Sequence, residues 1–187
     1  MGAALANLEA LPYYARKFQR LRVDRAHGVA PHKPILLLAV MEHFERHTLT
    51  ENRIELSPLL THTFLKYWSY LGSANHNPDI SRPFFHLKSS KFWHLVANPG
   101  FEEVLAAKIK LKTLAEVQEA ISHAYVDEDL FEFWQDTPCR DSLQAVLVGQ
   151  WFPGRLTEVK KISRTDDFQN PPGYFRETDT RYRLKEA

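Results

Sequence analysis

The stretch "PILLLAVM" at residues 34–41 limits the fold of this chain more than any other feature. Its side chains are apolar on nearly every side of a helix, and such a helix is stable in water only when other elements surround it. Pro34 fits the first turn, where the missing N–H of proline costs no hydrogen bond. The sequence therefore predicts a central helix that begins just before Pro34 and is packed on nearly all sides.

A single domain can be built around such a helix. The chain has 187 residues, 44% of them apolar, which suits one core better than two. The apolar run is much shorter than the roughly 20 residues that cross a bilayer, so no membrane association is expected. Cys139 is the single cysteine, which excludes a disulfide within the chain, and no signal-peptide pattern is present. These features favour a cytoplasmic protein.

Further elements are predicted on both sides of the central helix. We expect a broken helix within residues 1–22, a short strand at 53–56, a helix from Ser57-Pro58 to residue 71, and a loop at 72–81. A capping box at 113–116 predicts a helix to about residue 123. Two more helices are predicted, one at 128–135 with Asp127 as its cap and one at 137–152.

The segment "PFFHLKSSKFWHLV" at residues 83–96 has two short aromatic runs on either side of Lys-Ser-Ser-Lys. Side chains alternate within each run as they do in strands, which predicts a β-hairpin with its turn at 88–91. From about residue 159 the sequence resembles a linker. The expected fold is α+β: a mainly helical single domain at 1–158 with a small β-hairpin or sheet, then a linker-like tail at 159–187.

The charged residues are distributed unevenly, although the formal net charge is only +1. Residues 16–33 contain six basic side chains and one acid, whereas residues 102–132 contain eight acids and three lysines. A basic face indicates a polyanionic partner on one side of the molecule. Two solvated helix faces that differ by chance would give the same pattern, so charge alone leaves both interpretations open.

The start of the central helix, "APHKP" at residues 30–34, is a candidate anion site. Lys33 lies there beside the free N–H groups of a first helical turn, and both favour phosphate oxygens. Ordinary capping with a solvated Lys33 is the alternative. The predicted hairpin adds Lys88, Lys91 and Arg82, which would reach a nucleic-acid backbone.

Motifs typical of enzymes are missing. His76, His86 and His94 are not joined by a cysteine or carboxylate at a spacing typical of zinc sites. The sequence contains no P-loop, dinucleotide fingerprint or serine-nucleophile motif, and Cys139 fits a packed side chain better than a nucleophile. We expect no catalytic residue, no metal and no cofactor.

Four segments in order resemble the sulfur-binding domain of phosphorothioate-dependent HNH restriction endonucleases of the McrA type: "RVDRAHGVAPHKPILLLAV", "HNPDISRPFFHLKSSKFWHL", "AYVDEDLFEFWQD" and "LVGQWFP". The likeness covers about residues 10–155. It implies a role in bacterial defence, in which the domain binds double-stranded DNA that carries sulfur in place of a non-bridging phosphate oxygen. It also implies that cleavage belongs to a separate HNH nuclease domain of the full-length chain, so this chain alone is not expected to be an enzyme.

By resemblance, the sulfur occupies a shallow apolar pocket that penalises the more strongly hydrated oxygen, by roughly 1–3 kcal/mol. The pocket residues are Arg25 (with Arg22 as the alternative arginine), Arg82, Pro83 and His86. Contacts to the DNA backbone are expected from Arg20, Arg22, His32, Lys33, Lys88 and Lys91. Base contacts are expected from the loop residues Ser73, Asn75, His76 and Asn77.

The residues leave three other functions open. A DNA-binding module that reads base sequence and ignores sulfur would show the same basic face. A small hydrolase would use His86 with a carboxylate such as Asp79, and a protein-interaction module would use the acidic helices. The oligomeric state is not predicted.

Overall fold

The apolar helix is central in the computed structural model, which describes residues 8–107, 109 and 111–165. This helix, α2 (His32–Glu45), is buried at every residue from Lys33 to Phe44. Pro34 lies in its first turn, as predicted. Helices from both halves of the chain pack around it, so the pattern of apolar residues correctly placed α2 at the centre of the core.

The remaining elements form a mainly helical α+β domain, which confirms the expected fold class. The other helices of the described residues are α1 (Leu11–Gln19), α3 (Pro58–Leu71), α4 (Ser81–His86), α5 (Glu102–Ala106), α6 (Leu114–Ala120), α7 (Glu128–Gln135), α8 (Thr137–Trp151) and α9 (Leu156–Ile162). Two strands, β1 (Trp93–Ala97) and β2 (Ile121–Val126), form an antiparallel sheet. No helix in the described ranges is both long and apolar enough to span a membrane.

The predicted hairpin at residues 83–96 is wrong. Its first half forms α4 and a 3-10 turn at Leu87–Ser90, and only its second half forms a strand, β1. Phe84, Phe85 and Leu87 are all buried in the core. Neighbouring side chains of a strand point to opposite faces, so a hairpin with one face in water would have exposed Phe84 or Phe85. Pro83 lies in the first turn of α4, where proline is tolerated.

The partner of β1 is a segment that the sequence suggested would be helical. The capping box at Thr113 and Glu116 is confirmed, but its helix ends at Ala120 and the chain continues as β2. Trp93 lies opposite Val126 and His94 lies opposite Tyr125. The strand predicted at 53–56 is reduced to one bridge, in which Ile54 and Ala124 exchange backbone hydrogen bonds of 2.7 and 2.8 Å.

Helix boundaries set by local capping agree well with the sequence. Ser57 caps α3 by accepting a hydrogen bond from the Leu60 N–H at 3.1 Å, and α7 and α8 lie where they were predicted. The prediction that Asp127 caps α7 is wrong, because its carboxylate makes no capping hydrogen bond and faces Tyr14 and His94 instead. The predicted domain boundary at 158/159 falls inside α9, whose Val159 and Ile162 are buried in the core. The packed fold thus extends beyond residue 158. Residues 166–187 of the predicted linker lie outside the described residues.

Candidate nucleic-acid interface

The two motifs that carry the resemblance meet in space. The ammonium of Lys33, in the first turn of α2, donates a hydrogen bond of 3.3 Å to the hydroxyl of Ser89, in the turn after α4. Ser89 in turn donates to the backbone carbonyl of His86 at 2.9 Å. The start of α2 and the end of α4 therefore form one continuous surface.

Lys33 is a buried cation without a carboxylate partner. It is 8% exposed, and within the described ranges no acidic side chain forms an ion pair with it. Burial, with Arg22 as a further source of positive charge, lowers the pKa of Lys33 to about 8. No side chain caps the N-terminal end of α2, where Lys33 lies. An anion at this point would satisfy both the ammonium and the free N–H groups.

The loop between α3 and α4 is held against α2 by His32. The Nε2 of His32 lies 2.7 Å from the backbone oxygen of Asn77, and its ring centroid lies 4.7 Å from that of Trp68 in α3. Ser73 organises the start of this loop, because its hydroxyl accepts from the N–H of Asn75 at 3.2 Å. The predicted base-contact loop thus lies beside the predicted phosphate site.

The N-terminal loop with Arg25 reaches the same region. Asp24 accepts a hydrogen bond of 2.9 Å from the N–H of Ala26, and Gly28 has a φ of +92°, which favours glycine. An open depression of about 490 Å³ is lined by Ala26, His27, Gly28 and Asn75. Three arginines of the preceding segment are exposed: Arg20, Arg22 and Arg25.

The predicted pocket residues on α4 have different environments. Pro83 is buried on the face of α4 that packs against the core, whereas Arg82 and His86 are exposed. Arg82 forms an ion pair of 3.3 Å with Asp79. No hydrogen bond or ion pair joins Arg25 to Arg82 or Pro83 among the described residues. The exposed members of the predicted pocket are therefore Arg25, Arg82 and His86.

The two lysines of the predicted hairpin turn extend the basic surface. The ammonium of Lys88 lies 3.8 Å from the centroid of the Phe85 ring, a cation–π contact that positions it. Lys91 is exposed, with a left-handed φ of 70°. Both remain near Ser89, although their turn follows a helix and does not join two strands.

The geometry gives little support to a hydrolase built on His86 and Asp79. Both carboxylate oxygens of Asp79 are engaged, one by Ser81 and the other by Arg82. Among the described residues, His94 and Asp127 do form a histidine–carboxylate pair, at 2.6 Å. The sequence does not reveal this pair, because the two residues lie on different elements and the local pattern around Asp127 predicts only a helix cap.

No protein-family model matches the chain, and no curated protein matches it. In the described part of the chain, no group of three or more His, Cys, Asp or Glu side chains could hold a metal ion.

Proposed function

We propose that this chain binds double-stranded DNA and prefers DNA in which sulfur replaces a non-bridging phosphate oxygen. The observation that most directly supports DNA binding is the buried, uncompensated ammonium of Lys33 at the uncapped start of α2. The preference for sulfur depends on the resemblance of "APHKP" and "PFFHL" to the sulfur-binding domains.

A phosphate group at this position would accept hydrogen bonds from Lys33 and from the first turn of α2. Arg22 adds positive charge close by. Lys88 and Lys91 would attract neighbouring phosphates, since both lie in the turn that contains Ser89. Such contacts release counterions, so the affinity is expected to fall steeply as the salt concentration rises.

Sulfur recognition would use exposed side chains that are poorly suited to a hydrated oxygen. The planar faces of Arg25, Arg82 and His86 are suitable surfaces, because sulfur is polarisable and a weak hydrogen-bond acceptor. The N-terminal loop also exposes an apolar side chain, Val29, to 48%. Discrimination would come from the cost of desolvating oxygen more than from a strong bond to sulfur.

The test is fluorescence anisotropy with two duplexes of the same sequence, one with a single phosphorothioate and one without. We expect the modified duplex to bind between about fivefold and about 150-fold more tightly, which corresponds to roughly 1–3 kcal/mol. Equal affinities would contradict the sulfur preference and favour a module that ignores the modification. No binding to either duplex would contradict the whole proposal.

In this proposal, cleavage belongs to an HNH nuclease domain of the full-length chain, and the cytoplasm is the expected location because the DNA is there. Incubation of the present chain with phosphorothioated plasmid and Mg²⁺ or Mn²⁺ should leave the plasmid supercoiled. A nicking activity that co-purifies with the protein would instead favour the hydrolase alternative.

A further inference from the structure

Two histidines from different segments pack against each other beside Lys33. The ring centroids of His32 and His76 are 5.7 Å apart, and the rings are nearly perpendicular at 86°. His32 also rests on Trp68 of α3. The start of α2 and the loop before α4 therefore share a half-buried pair of imidazoles.

The hydrogen bond of His32 determines which nitrogen carries its proton. A backbone carbonyl can only accept, so the Nε2 that faces the Asn77 oxygen at 2.7 Å must be the protonated nitrogen. In neutral His32 the Nδ1 then carries a lone pair and can only accept a hydrogen bond. Protonation would turn Nδ1 into a second donor without disturbing the contact to Asn77.

His76 has two polar atoms that the free protein leaves unsatisfied. Neither of its ring nitrogens has a hydrogen-bond partner, and both are shielded from water. An enclosed polar atom of this kind destabilises the free protein, because it has lost its hydrogen bonds to water. The preceding residue, Asn75, lines the open depression. A phosphate oxygen that enters from this side would accept from a protonated His76.

The charged groups that face the pair are already engaged elsewhere or are positive. Asp24 faces His76 but accepts from the Ala26 N–H, and Asp79, which faces His32, is held by Ser81 and Arg82. Arg82 also faces His32, and His27 faces Asp24. Burial is the main reason that the pKa of His32 is lowered from 6.5, with His76 and Arg82 acting in the same direction and the Asn77 hydrogen bond and the charge of Asp79 opposing them. The free protein thus keeps His32 neutral near neutral pH.

We propose that DNA binding at this site is coupled to proton uptake by the His32–His76 pair. The coupling rests on the proposed function, because its source is the negative charge of a bound phosphate, which favours the protonated imidazole. Protonation would supply one new donor from His32 and one from His76, and a phosphate oxygen could accept from either. The affinity for DNA therefore falls as the pH rises through the histidine range.

The direction in which the DNA affinity changes with pH follows from the linkage between binding and protonation. A group whose pKa is higher in the complex than in the free protein takes up a proton on binding at any pH between the two values. Over that interval the affinity decreases by at most about tenfold per pH unit for each proton. Lys33 stays mainly protonated below its pKa of about 8, so its own titration lies above most of this interval.

The main experiment measures the affinity for one duplex by anisotropy from about pH 5.5 to about pH 7.5 at constant ionic strength. We expect at least about a fivefold loss of affinity over this range. Calorimetry in two buffers with different ionisation enthalpies should detect net proton uptake near pH 6.5. Affinity that does not change with pH, or no proton uptake, overturns the coupling.

Two variants and a control locate the effect. His32→Gln keeps a donor for the Asn77 carbonyl and cannot titrate, and His76→Gln removes the second imidazole. Each should flatten the pH dependence while circular dichroism confirms the fold. His47→Gln removes an exposed titratable group just beyond the opposite end of α2, far from the pair, and it should keep the dependence. Equal flattening in all three variants overturns the assignment to His32 and His76.

A measurement on the unaltered chain covers the case in which a variant does not fold. Sulfate stays fully ionised across this pH range, so NMR titration of the histidine Cε1–H signals in sodium sulfate and in sodium chloride at equal ionic strength isolates the effect of a bound anion. Sulfate should raise the pKa of His32, and identical titrations overturn the proposal. Equal binding of sulfur-modified and plain duplexes contradicts the proposed function alone, whereas pH-independent binding with a sulfur preference contradicts the coupling alone.

Discussion

Lys33 is buried without a carboxylate partner, and its burial has opposite consequences for stability and for binding. Its pKa in the folded protein, about 8, lies below the ordinary value of 10.5. The unfolded chain therefore binds more protons between these values, and the stability of the fold rises as the pH increases from about 8 to about 10.5. Below pH 8 the charged lysine destabilises the fold while providing an anion site.

Lys33→Met should separate these two effects. The substitution removes the buried charge and retains most of the volume, so the free energy of unfolding near pH 7 should rise by up to about 3 kcal/mol in urea denaturation. DNA affinity should fall by at least about tenfold. Lys91→Met, at an exposed site, should change stability by less than about 0.5 kcal/mol. A destabilised Lys33→Met with normal DNA affinity would mean that Lys33 has a structural role.

The pocket assignment can be tested at the same scale. Arg25→Ala and His86→Ala should each reduce the ratio of affinities for sulfur-modified and plain DNA, because both side chains are proposed to meet the sulfur. Lys91→Ala should lower both affinities and leave the ratio within about twofold of the original chain, because a backbone contact carries no information about the atom. Anisotropy gives both affinities. Similar ratios in all three variants would refute the pocket.

Among the elements, Asp127 joins three parts of the fold. It precedes α7 at the capping position, but its carboxylate does not cap the helix. One oxygen accepts from the hydroxyl of Tyr14 in α1 at 3.1 Å, and the other faces Nε2 of His94 in β1 at 2.6 Å. Burial and the nearby Asp127 raise the pKa of Tyr14. Asp127 therefore ties α1, β1 and α7 together.

Asp127→Ala should cost more than the loss of an ordinary helix cap. It removes both contacts and leaves the buried Tyr14 hydroxyl without an acceptor, so we expect a loss of about 2–3 kcal/mol in urea denaturation. Asp136→Ala is the matched control, because Asp136 caps α8 through the N–H of Cys139 at 2.9 Å and should cost only about 1 kcal/mol. Equal losses would show that the tie between α1, β1 and α7 adds nothing to stability.

Across the whole molecule, a buried ion pair holds the segment after α9 against the end of α2 that lies opposite the proposed DNA site. Lys66 in α3 donates to Glu42 in α2 at 2.6 Å and to the carbonyl of Thr165 at 2.9 Å. Arg46 donates to the carbonyl of Ser163 at 2.8 Å. Since α2 has 14 residues, its two ends are about 20 Å apart. The chain therefore leaves the described fold far from Lys33.

The ion pair should respond differently to single and double substitution. Lys66→Met removes the buried ammonium partner of Glu42 and leaves it only the half-exposed Arg46, at 2.9 Å, so it should cost up to about 3–5 kcal/mol. Glu42→Leu combined with Lys66→Met should recover most of that loss, because no buried charge remains and Arg46 is half-exposed. The double variant still lacks the donor to Thr165, so limited proteolysis near residues 163–165 should be faster than in the original chain. A double variant as unstable as Lys66→Met would contradict this account.

Patterns within a few residues determined much of the helical layout. The burial of α2 follows from its apolar residues, the start of α3 from Ser57 and Pro58, and the start of α6 from its capping box. These features depend on side chains within about four residues of one another, whose preferences hold in almost any surroundings. They could therefore be predicted from the sequence.

Only the tertiary structure decided the form of residues 83–96 and the grouping of the candidate site. Phe84 and Phe85 suit a strand or a helix, and the core that receives them favours α4, while β1 pairs with β2 from a distant part of the chain. Lys33 meets Ser89 across 56 positions, and His32 meets Asn77 across 45. The sequence indicated His32, Lys33 and Asn77 as candidates but not Ser89. Contacts across such separations depend on how the whole chain buries its apolar surface, which no local preference specifies.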